Sequence, residues 1–252
     1  MAASVVIPAR FGSTRFQAKI LASETGKPLV QHVVDRVRQC RLVRDVVVAT
    51  DDERIVAALR PFKTRCVMTS PAHQSGTDRV AEVARGLPSE VDVIVNVQGD
   101  EPEIEPQTVD ALIERLATHP ADDMATAATP FPAGEHPANP NLVKTVIAAD
   151  GRAVYFSRSP VPFHRDAPAD KLRPAYYLHL GIYAYRREFL LKFASWPPTP
   201  LETTEKLEQL RALEHGRSIY VLKVSRATHG IDTPEQYQAF VKRYREHRGD
   251  HE

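Results

Sequence analysis

Short apolar runs punctuate the first half of the chain. Val5–Ile7, Val46–Ala49, Cys66–Met68 and Val91–Val97 are dominated by apolar residues, mostly β-branched in all but the third, and stop at polar or turn-forming positions, the pattern of buried strands. The stretches between them have helical periodicity: one runs through Val30–Arg38, one starts at Asp52 and one runs from Thr77 through Ala84. Alternation of this kind predicts βαβ units and a mainly parallel sheet up to about residue 130.

Beyond that point the pattern changes. Pro130, Pro132, Pro137 and Pro140 mark a loop, after which Val143–Ile147 and Val154–Phe156 flank Asp150-Gly151 as an expected antiparallel hairpin. Asp-Gly would supply the positive φ angles of its tight turn. Residues 163–176, rich in Pro, Asp, Lys and Arg, predict a mobile lid-like loop before the strand Leu178–Tyr185. Leu207, Leu210 and Leu213 define one face of a helix entered through Pro200, with Glu202 and Glu205 complementing the macrodipole of its first turn. A strand at Ile219–Val224 and a helix capped by Thr233, with Pro234 in its first position, close the chain. The expected fold is α/β: one Rossmann-like domain over residues 1–252, its mixed sheet mainly parallel and carrying an antiparallel insertion.

The polar residues collect where the predicted strands end. Val5-Val6-Ile7 breaks at Pro8 into Ala9-Arg10-Phe11-Gly12-Ser13-Thr14-Arg15, followed by Lys19. Ligands bind outside the carboxyl ends of strands in open α/β sheets, and small residues with exposed N–H groups plus three cations suit a polyphosphate. The spacing is neither the P-loop nor the Gly-x-Gly-x-x-Gly fingerprint, so a solvated basic loop stands as the other reading. Asp100, in Gln98-Gly99-Asp100-Glu101-Pro102, reads either as a ligand for a hard cation, which takes one or two carboxylates plus phosphate oxygens, or as an ordinary acidic turn. Asp232 reads as a second such ligand or as a helix cap. The turn His73-Gln74-Ser75-Gly76-Thr77-Asp78-Arg79 offers donors and acceptors for a nucleobase, or simply caps a helix. His179 sits in an alternating strand as a satisfied core histidine or a polar ligand, and Arg158 either binds a carboxylate or rims the hairpin. Glu208 and Gln209 read as the solvated side of the leucine-faced helix.

Composition narrows the partners. The chain has 252 residues, 42% hydrophobic and 26% charged, with a formal net charge of +1, so nothing global draws it to nucleic acid or a membrane and any cationic site is local. Cys40 and Cys66 lack metal-ligand spacing and read as reduced thiols of a cytoplasmic protein. No secretory pattern opens the chain and no apolar run approaches a membrane span.

Taken together, several motifs resemble one family, the 3-deoxy-manno-octulosonate cytidylyltransferases or CMP-Kdo synthetases. They are Ile7-Pro8-Ala9-Arg10 with Ser13-Thr14-Arg15 and Lys19, Gly26-Lys27-Pro28, Ala49-Thr50-Asp51, His73-Gln74-Ser75-Gly76-Thr77, and Asn96-Val97-Gln98-Gly99-Asp100-Glu101-Pro102. Asn139-Pro140-Asn141, Tyr155-Phe156-Ser157-Arg158, His179-Leu180-Gly181-Ile182-Tyr183, Pro200-Leu201-Glu202, Leu207-Glu208-Gln209-Leu210-Arg211 and Asp232-Thr233-Pro234 continue it in the family's order. Each motif is weak alone, but the set spans nearly the whole chain.

The resemblance implies a Mg²⁺-dependent attack of the anomeric hydroxyl of Kdo on the α-phosphorus of CTP, releasing pyrophosphate for lipopolysaccharide synthesis. It implies that Pro8, Ala9, Arg10, Ser13, Arg15, Lys19, Gln74, Ser75, Arg79 and Asp100 bind the nucleotide. Arg15, Gln98, Arg158, His179, Tyr183, Glu208 and Gln209 would bind the sugar, Asp100 and Asp232 the metal, and Arg10, Lys19, Asp100 and Asp232 would carry the catalysis. It further implies a homodimer, with a nucleotide-binding half (1–130), a sugar-binding and dimerisation half (131–230) and a closing helix (231–252). Transfer to another ulosonic acid, 8-amino-Kdo or sialic acid, and an inactive nucleotide-binding homologue are the alternatives; the presence of both Asp100 and Asp232 speaks against the latter. The chain departs from the family at Phe16-Gln17-Ala18-Lys19, where Leu-Pro-Gly-Lys is usual: the phosphate loop loses a φ-fixing residue and a permissive one, while Lys19 keeps its position.

Overall fold

The computed structural model describes residues 2–12, 16–165, 176–225 and 230–249. Its elements run β1 (Ala2–Pro8), α1 (Leu29–Val37), β2 (Val43–Thr50), α2 (Glu53–Leu59), β3 (Arg65–Met68), α3 (Gly76–Arg85), β4 (Val91–Asn96), α4 (Pro106–Thr118) and β5 (Met124–Pro130). They continue with β6 (Lys144–Ile147), β7 (Ala153–Ser157), β8 (Tyr177–Arg186), α5 (Arg187–Ser195), α6 (Pro200–Glu205), α7 (Leu210–Glu214), β9 (Ile219–Lys223) and α8 (Pro234–Gly249). The described residues fall into two compact units: one holds 2–91, 96–107 and 230–249, the other 92–95 and 108–225.

In the first unit β3, β2 and β1 lie side by side in parallel, Ile7 opposite Val48 and Val48 opposite Cys66. Val5, Val6, Ile7, Val47, Val48 and Ala49 are fully buried. Apolar runs with no polar alternation are what a strand covered on both faces requires. Helix α1 turns Leu29, Val30, Val33, Val34 and Val37 inward, each such side chain contributing about 1.5–3 kcal/mol relative to exposure. Helix α8 lays Tyr237, Phe240 and Val241 against Leu29 and Ile231. His32 meets the edges of Phe240 and Tyr244 and hydrogen-bonds Thr25 at 2.6 Å; burial, aided by Lys27, pushes its imidazole down to about 4, so it packs as a neutral ring.

The second unit is mixed. Its strands run in the order β4-β8-β5-β9; β5 is antiparallel to β8 and parallel to β9, while β6 pairs with β7 and β8 in antiparallel fashion. The expected hairpin is present, but its turn differs from a tight Asp-Gly pair. Gly151 N–H donates to the Ala148 carbonyl at 3.0 Å and Ala148 N–H to the Arg152 carbonyl at 2.8 Å, and only Gly151 has a positive φ, +87°. The loop is thus one residue longer, a type I turn closed by a left-handed glycine, and Asp150 instead accepts the Arg152 N–H. The expected helix through Leu207, Leu210 and Leu213 is also corrected. Lys206 takes a left-handed conformation, φ +54°, and splits it into α6 and α7. The break turns Leu207 and Leu210 into the core and lets buried Arg211 of α7 grip Glu202 of α6 through two hydrogen bonds, 2.7 and 2.5 Å. Residues 166–175, most of the expected lid, lie outside the described residues. No helix among the described residues is long and apolar enough to cross a membrane.

A Cβ on Gly151 would sit 2.6 Å from the Tyr220 ring, whereas one on Gly134, φ +95°, would meet nothing within 4 Å. Gly134→Ala is therefore expected to cost about 1 kcal/mol from backbone strain alone, and Gly151→Ala about 2–4 kcal/mol because a steric clash is added. Urea unfolding midpoints of the two variants check this; equal losses would show that the Tyr220 contact relaxes freely.

Candidate active site

The site in the first unit begins where β1 ends. Pro8 supplies no N–H, but Ala9 donates to the Ala49 carbonyl at 2.9 Å, so pairing persists one residue further before the chain turns out at exposed Arg10. Phe11 lies beneath the Arg54 guanidinium, 3.4 Å from ring centroid to cation. The turn after β4 approaches this end closely because of Gly99. A Cβ there would stand 3.1 Å from the Pro8 carbonyl oxygen and 3.2 Å from Ile20.

Three distant segments then meet on one ammonium. Lys19 Nζ donates to Asp100 Oδ2 at 2.6 Å, to Asp232 Oδ1 at 2.9 Å and to the Ile231 carbonyl at 2.9 Å, and the Lys19 residue is only 9% exposed. Burial alone would depress its pKa, but Asp100 and then Asp232 outweigh burial and raise it, so the group stays charged. The backbone fastens the carboxylates too: Ile231 N–H donates to the Asp100 carbonyl at 2.8 Å. Capping of α8 falls to other residues. Thr233 Oγ1 accepts the Gln236 N–H at 3.3 Å, while Gln236 Oε1 accepts the N–H groups of Asp232 and Thr233 at 2.6 and 3.0 Å. The Asp232 carboxylate accepts from the Lys19 ammonium, beside a helix start that Thr233 and Gln236 cap. Next to Asp100, burial and then the Asp100 charge push Glu101 up to about 8, so near neutrality Glu101 is mostly protonated.

A cavity of about 730 Å³ opens over this cluster, lined by Pro8, Arg10, Phe11 and Gly12 on one side and Lys19, Gln98, Gly99, Asp100 and Asp232 on the other. Gln17 and Ile20 also line it. Ser13 and Arg15 lie outside the described residues.

The turn read as a nucleobase contact divides in role. Ser75 caps α3, accepting the Asp78 N–H at 3.1 Å while Asp78 accepts its N–H at 3.2 Å. Arg79 is buried and donates to Asp51 at 2.7 Å and to Thr69 Oγ1. Gln74 is exposed, its amide donating to the Ala72 carbonyl at 3.0 Å. Ser75 and Arg79 thus build the turn, and Gln74 presents a side chain from it. Asp51 and Thr69 hold Arg79 from outside its own helix, and of that pairing the sequence shows only the acidic residue at the end of the Ala49-Thr50-Asp51 motif.

Of the residues assigned to the sugar, Gln98 lies in the first unit, Arg15 is outside the described residues, and Arg158, His179, Tyr183, Glu208 and Gln209 belong to the second unit. His179 accepts or donates at Thr126 Oγ1, 3.0 Å away, and packs between Phe156 and Tyr183 with centroid distances of 4.9 and 5.4 Å. Burial holds its imidazole near 3, hence neutral, and keeps the Tyr183 phenol protonated. Arg158 donates to the carbonyls of Glu205, Pro140 and Lys206 at 2.7, 2.8 and 3.2 Å, so most of its fork is engaged by the protein. Glu208 lies 3.8 Å from Arg211, and the Gln209 amide nitrogen is buried without a hydrogen-bond partner among the described residues. An unpartnered buried amide costs about 1–3 kcal/mol and calls for a ligand or water.

The cytidylyltransferase family model matches residues 4–219. The 3-deoxy-manno-octulosonate cytidylyltransferase of Geobacter sulfurreducens is 49% identical over 247 residues, 95% of this chain and 98% of its own. That of Rhodopirellula baltica is 46% identical over 247 residues, 96% of this chain and 98% of its own. A solved structure of CMP:2-keto-3-deoxy-manno-octonic acid synthetase complexed with CTP superposes with a TM-score of 0.90 at 40% identity, covering 98% of this chain and 100% of that one. A 4-diphosphocytidyl-2C-methyl-D-erythritol synthase from Anaerococcus prevotii, 13% identical with a TM-score of 0.63 over 97% of this chain and 98% of its own, shares the Rossmann-like fold alone. With matches running almost end to end in sequence and in backbone, the chain belongs to the 3-deoxy-manno-octulosonate cytidylyltransferase family.

Proposed function

We propose that the protein transfers the cytidylyl group of CTP to the anomeric hydroxyl of Kdo, giving CMP-Kdo and pyrophosphate for lipopolysaccharide synthesis. The observation that carries this reading is the convergence of Lys19, Asp100 and Asp232 on one cavity that Arg10 also lines, in a chain close in sequence to enzymes named for this activity. The sugar oxygen forms a bond to the α-phosphorus as the bond from that phosphorus to the pyrophosphate oxygen breaks, and the hydroxyl proton leaves to solvent. The chain must therefore neutralise a polyphosphate and align two reactants. Arg10 and Lys19 supply positive charge at the cavity wall, with Ser13 and Arg15 part of the same reading. Gln74 contacts the base. Gln98, Arg158, His179, Tyr183, Glu208 and Gln209 receive the sugar, His179 and Tyr183 as uncharged hydrogen-bonding groups.

The donor set fits Mg²⁺: two carboxylates already converge on one cation, and a hard divalent ion completes its shell with phosphate oxygens and water. Asp100 and Asp232 would hold it. When bound, the ion supplies charge stabilisation for the departing pyrophosphate and lowers the pKa of the attacking hydroxyl. Lys19 keeps both carboxylates in register and offers its own charge to the phosphates. The reading includes a homodimer in the cytoplasm, supported by the family and by the two thiols, Cys40 and Cys66.

The departure at Gln17-Ala18 has a local explanation. Ala18 has φ +55° and ψ +23°, a left-handed conformation that glycine takes at no steric cost, and the 3₁₀ turn Lys19–Leu21 starts directly after it. Alanine in this chain takes up the backbone that the family's usual glycine suits, at a cost of about 1–2 kcal/mol.

Pyrophosphate release is expected to require both CTP and Kdo, to stop with chelator and to return with Mg²⁺; equal release without Kdo, or preference for a purine nucleotide, overturns the assignment. Asp100→Asn and Asp232→Asn are each expected to lower kcat by about 100-fold or more while thermal unfolding stays near that of the parent. An Asp232→Asn variant that is fully active but unfolds early would make Asp232 a structural residue. Ala18→Gly is expected to keep kcat/KM for CTP within about tenfold and leave stability unchanged or raised by up to about 1 kcal/mol, whereas Lys19→Ala loses far more activity. A dead Ala18→Gly beside a nearly normal Lys19→Ala would remove this loop from the phosphate site.

A further inference from the structure

Lys144, the first residue of β6, is fully buried. Its Nζ donates to the carbonyls of Asn139 at 3.1 Å, Leu142 at 2.6 Å and Arg158. Three ammonium N–H groups thus meet three carbonyl oxygens, and among the described residues no carboxylate lies within ion-pair distance. Burial and the neighbouring Arg158 push its pKa down to about 8 against the opposing pull of Glu205. Removing a charge from water to face only neutral dipoles costs several kcal/mol, and a methionine would fill the same volume without that cost. The arrangement is a cation site lined by main-chain oxygens, with the cation supplied by the chain itself.

The carbonyls that Lys144 draws in belong to segments that Arg158 extends. Arg158 reaches from Pro140 to Glu205 and Lys206, and Glu205 in return accepts the Ser157 hydroxyl at 2.6 Å and the Arg158 N–H at 2.9 Å. Lys206 is the left-handed residue at which the chain turns toward Glu208 and Gln209. We propose that Lys144 is a positioning residue of the sugar-binding residues: a tethered cation that fixes the 139–142 loop and the Arg158 backbone, and through Arg158 the break that places Glu208 and Gln209. It touches no substrate. The proposal rests on the reading of this protein as a Kdo cytidylyltransferase for its ligand, but not for its geometry.

Lys144→Met, Lys144→Gln and Lys144→Ala in the full chain test it. In the Met and Gln variants the KM for Kdo is expected to rise by about tenfold or more while the KM for CTP stays within about twofold. Amide hydrogen exchange should quicken at 139–142 and 205–209 and remain unchanged in β1, β2 and β3. Ammonium chloride should recover part of the Kdo affinity of Lys144→Ala, and tetramethylammonium chloride, which has no N–H, should not. Lys144→Gln keeps two N–H donors and no buried charge, so it carries the same expectation should the methionine variant not fold. An unchanged KM for Kdo, an equal rise in both KM values, or equal rescue by the two salts overturns the proposal. If the parent protein makes no CMP-Kdo at all, the functional assignment fails, and the exchange measurement alone still decides whether Lys144 places these segments.

Discussion

Two carboxylates sharing one small volume repel each other by about 4 kcal/mol at 4 Å under the effective dielectric of a protein surface, and an ammonium held between them reverses that balance. Lys19 does this for Asp100 and Asp232. The three residues come from opposite parts of the sequence, so their meeting depends on everything that brings those parts together. Tyr237, Phe240 and Val241 seat α8 on Leu29, and Ile231, buried in the same cluster, sends its N–H to the Asp100 carbonyl. Apolar packing of the last helix thereby sets a hydrogen bond next to the first loop. The same helix start shows how a polar group is kept available. Thr233 and Gln236 accept the opening N–H groups, and Asp232, one residue earlier, extends its carboxylate to Lys19. With one positive and two negative charges, the trio retains one negative charge, which agrees with the proposal that Asp100 and Asp232 hold a divalent ion.

Much of this was legible in the chain. Short apolar runs predicted β1, β2, β3 and β4, and Thr233-Pro234 predicted the start of α8, because both signals are local and each is physically sufficient. The polar strand ends pointed to Asp100 for the same reason. Other features were hidden because they depend on partners remote in sequence or on a single dihedral angle. The leucine spacing from 207 to 213 is compatible with a continuous helix; only the left-handed Lys206 and the Glu202–Arg211 pair reveal two. Asp150-Gly151 marks a turn without distinguishing a two-residue loop from a longer one. Periodicity could not tell that Ser75 and Arg79 are occupied in building their turn while Gln74 is exposed, since all three are polar and adjacent. Lys144 did leave a trace, a charged residue opening the apolar run Val143–Ile147, and snorkelling to solvent would have explained it equally well.

Lys19 and Lys144 together show that burial does not by itself decide what a lysine does. Both are buried, and for both burial is the larger force acting to discharge the amine. At Lys19 two carboxylates overcome it, and the charge is held firmly because it is matched by charge. At Lys144 the partners are carbonyl dipoles, Arg158 adds a repulsive cation, and the pKa falls to about 8. The first arrangement suits a group that must remain charged while anions come and go beside it. In the second, carbonyl oxygens radiate from a fixed centre and the backbone segments bearing them are locked relative to one another. A charge matched by charges therefore serves electrostatics, and a charge matched by dipoles serves geometry; each of the two compact units contains one of them.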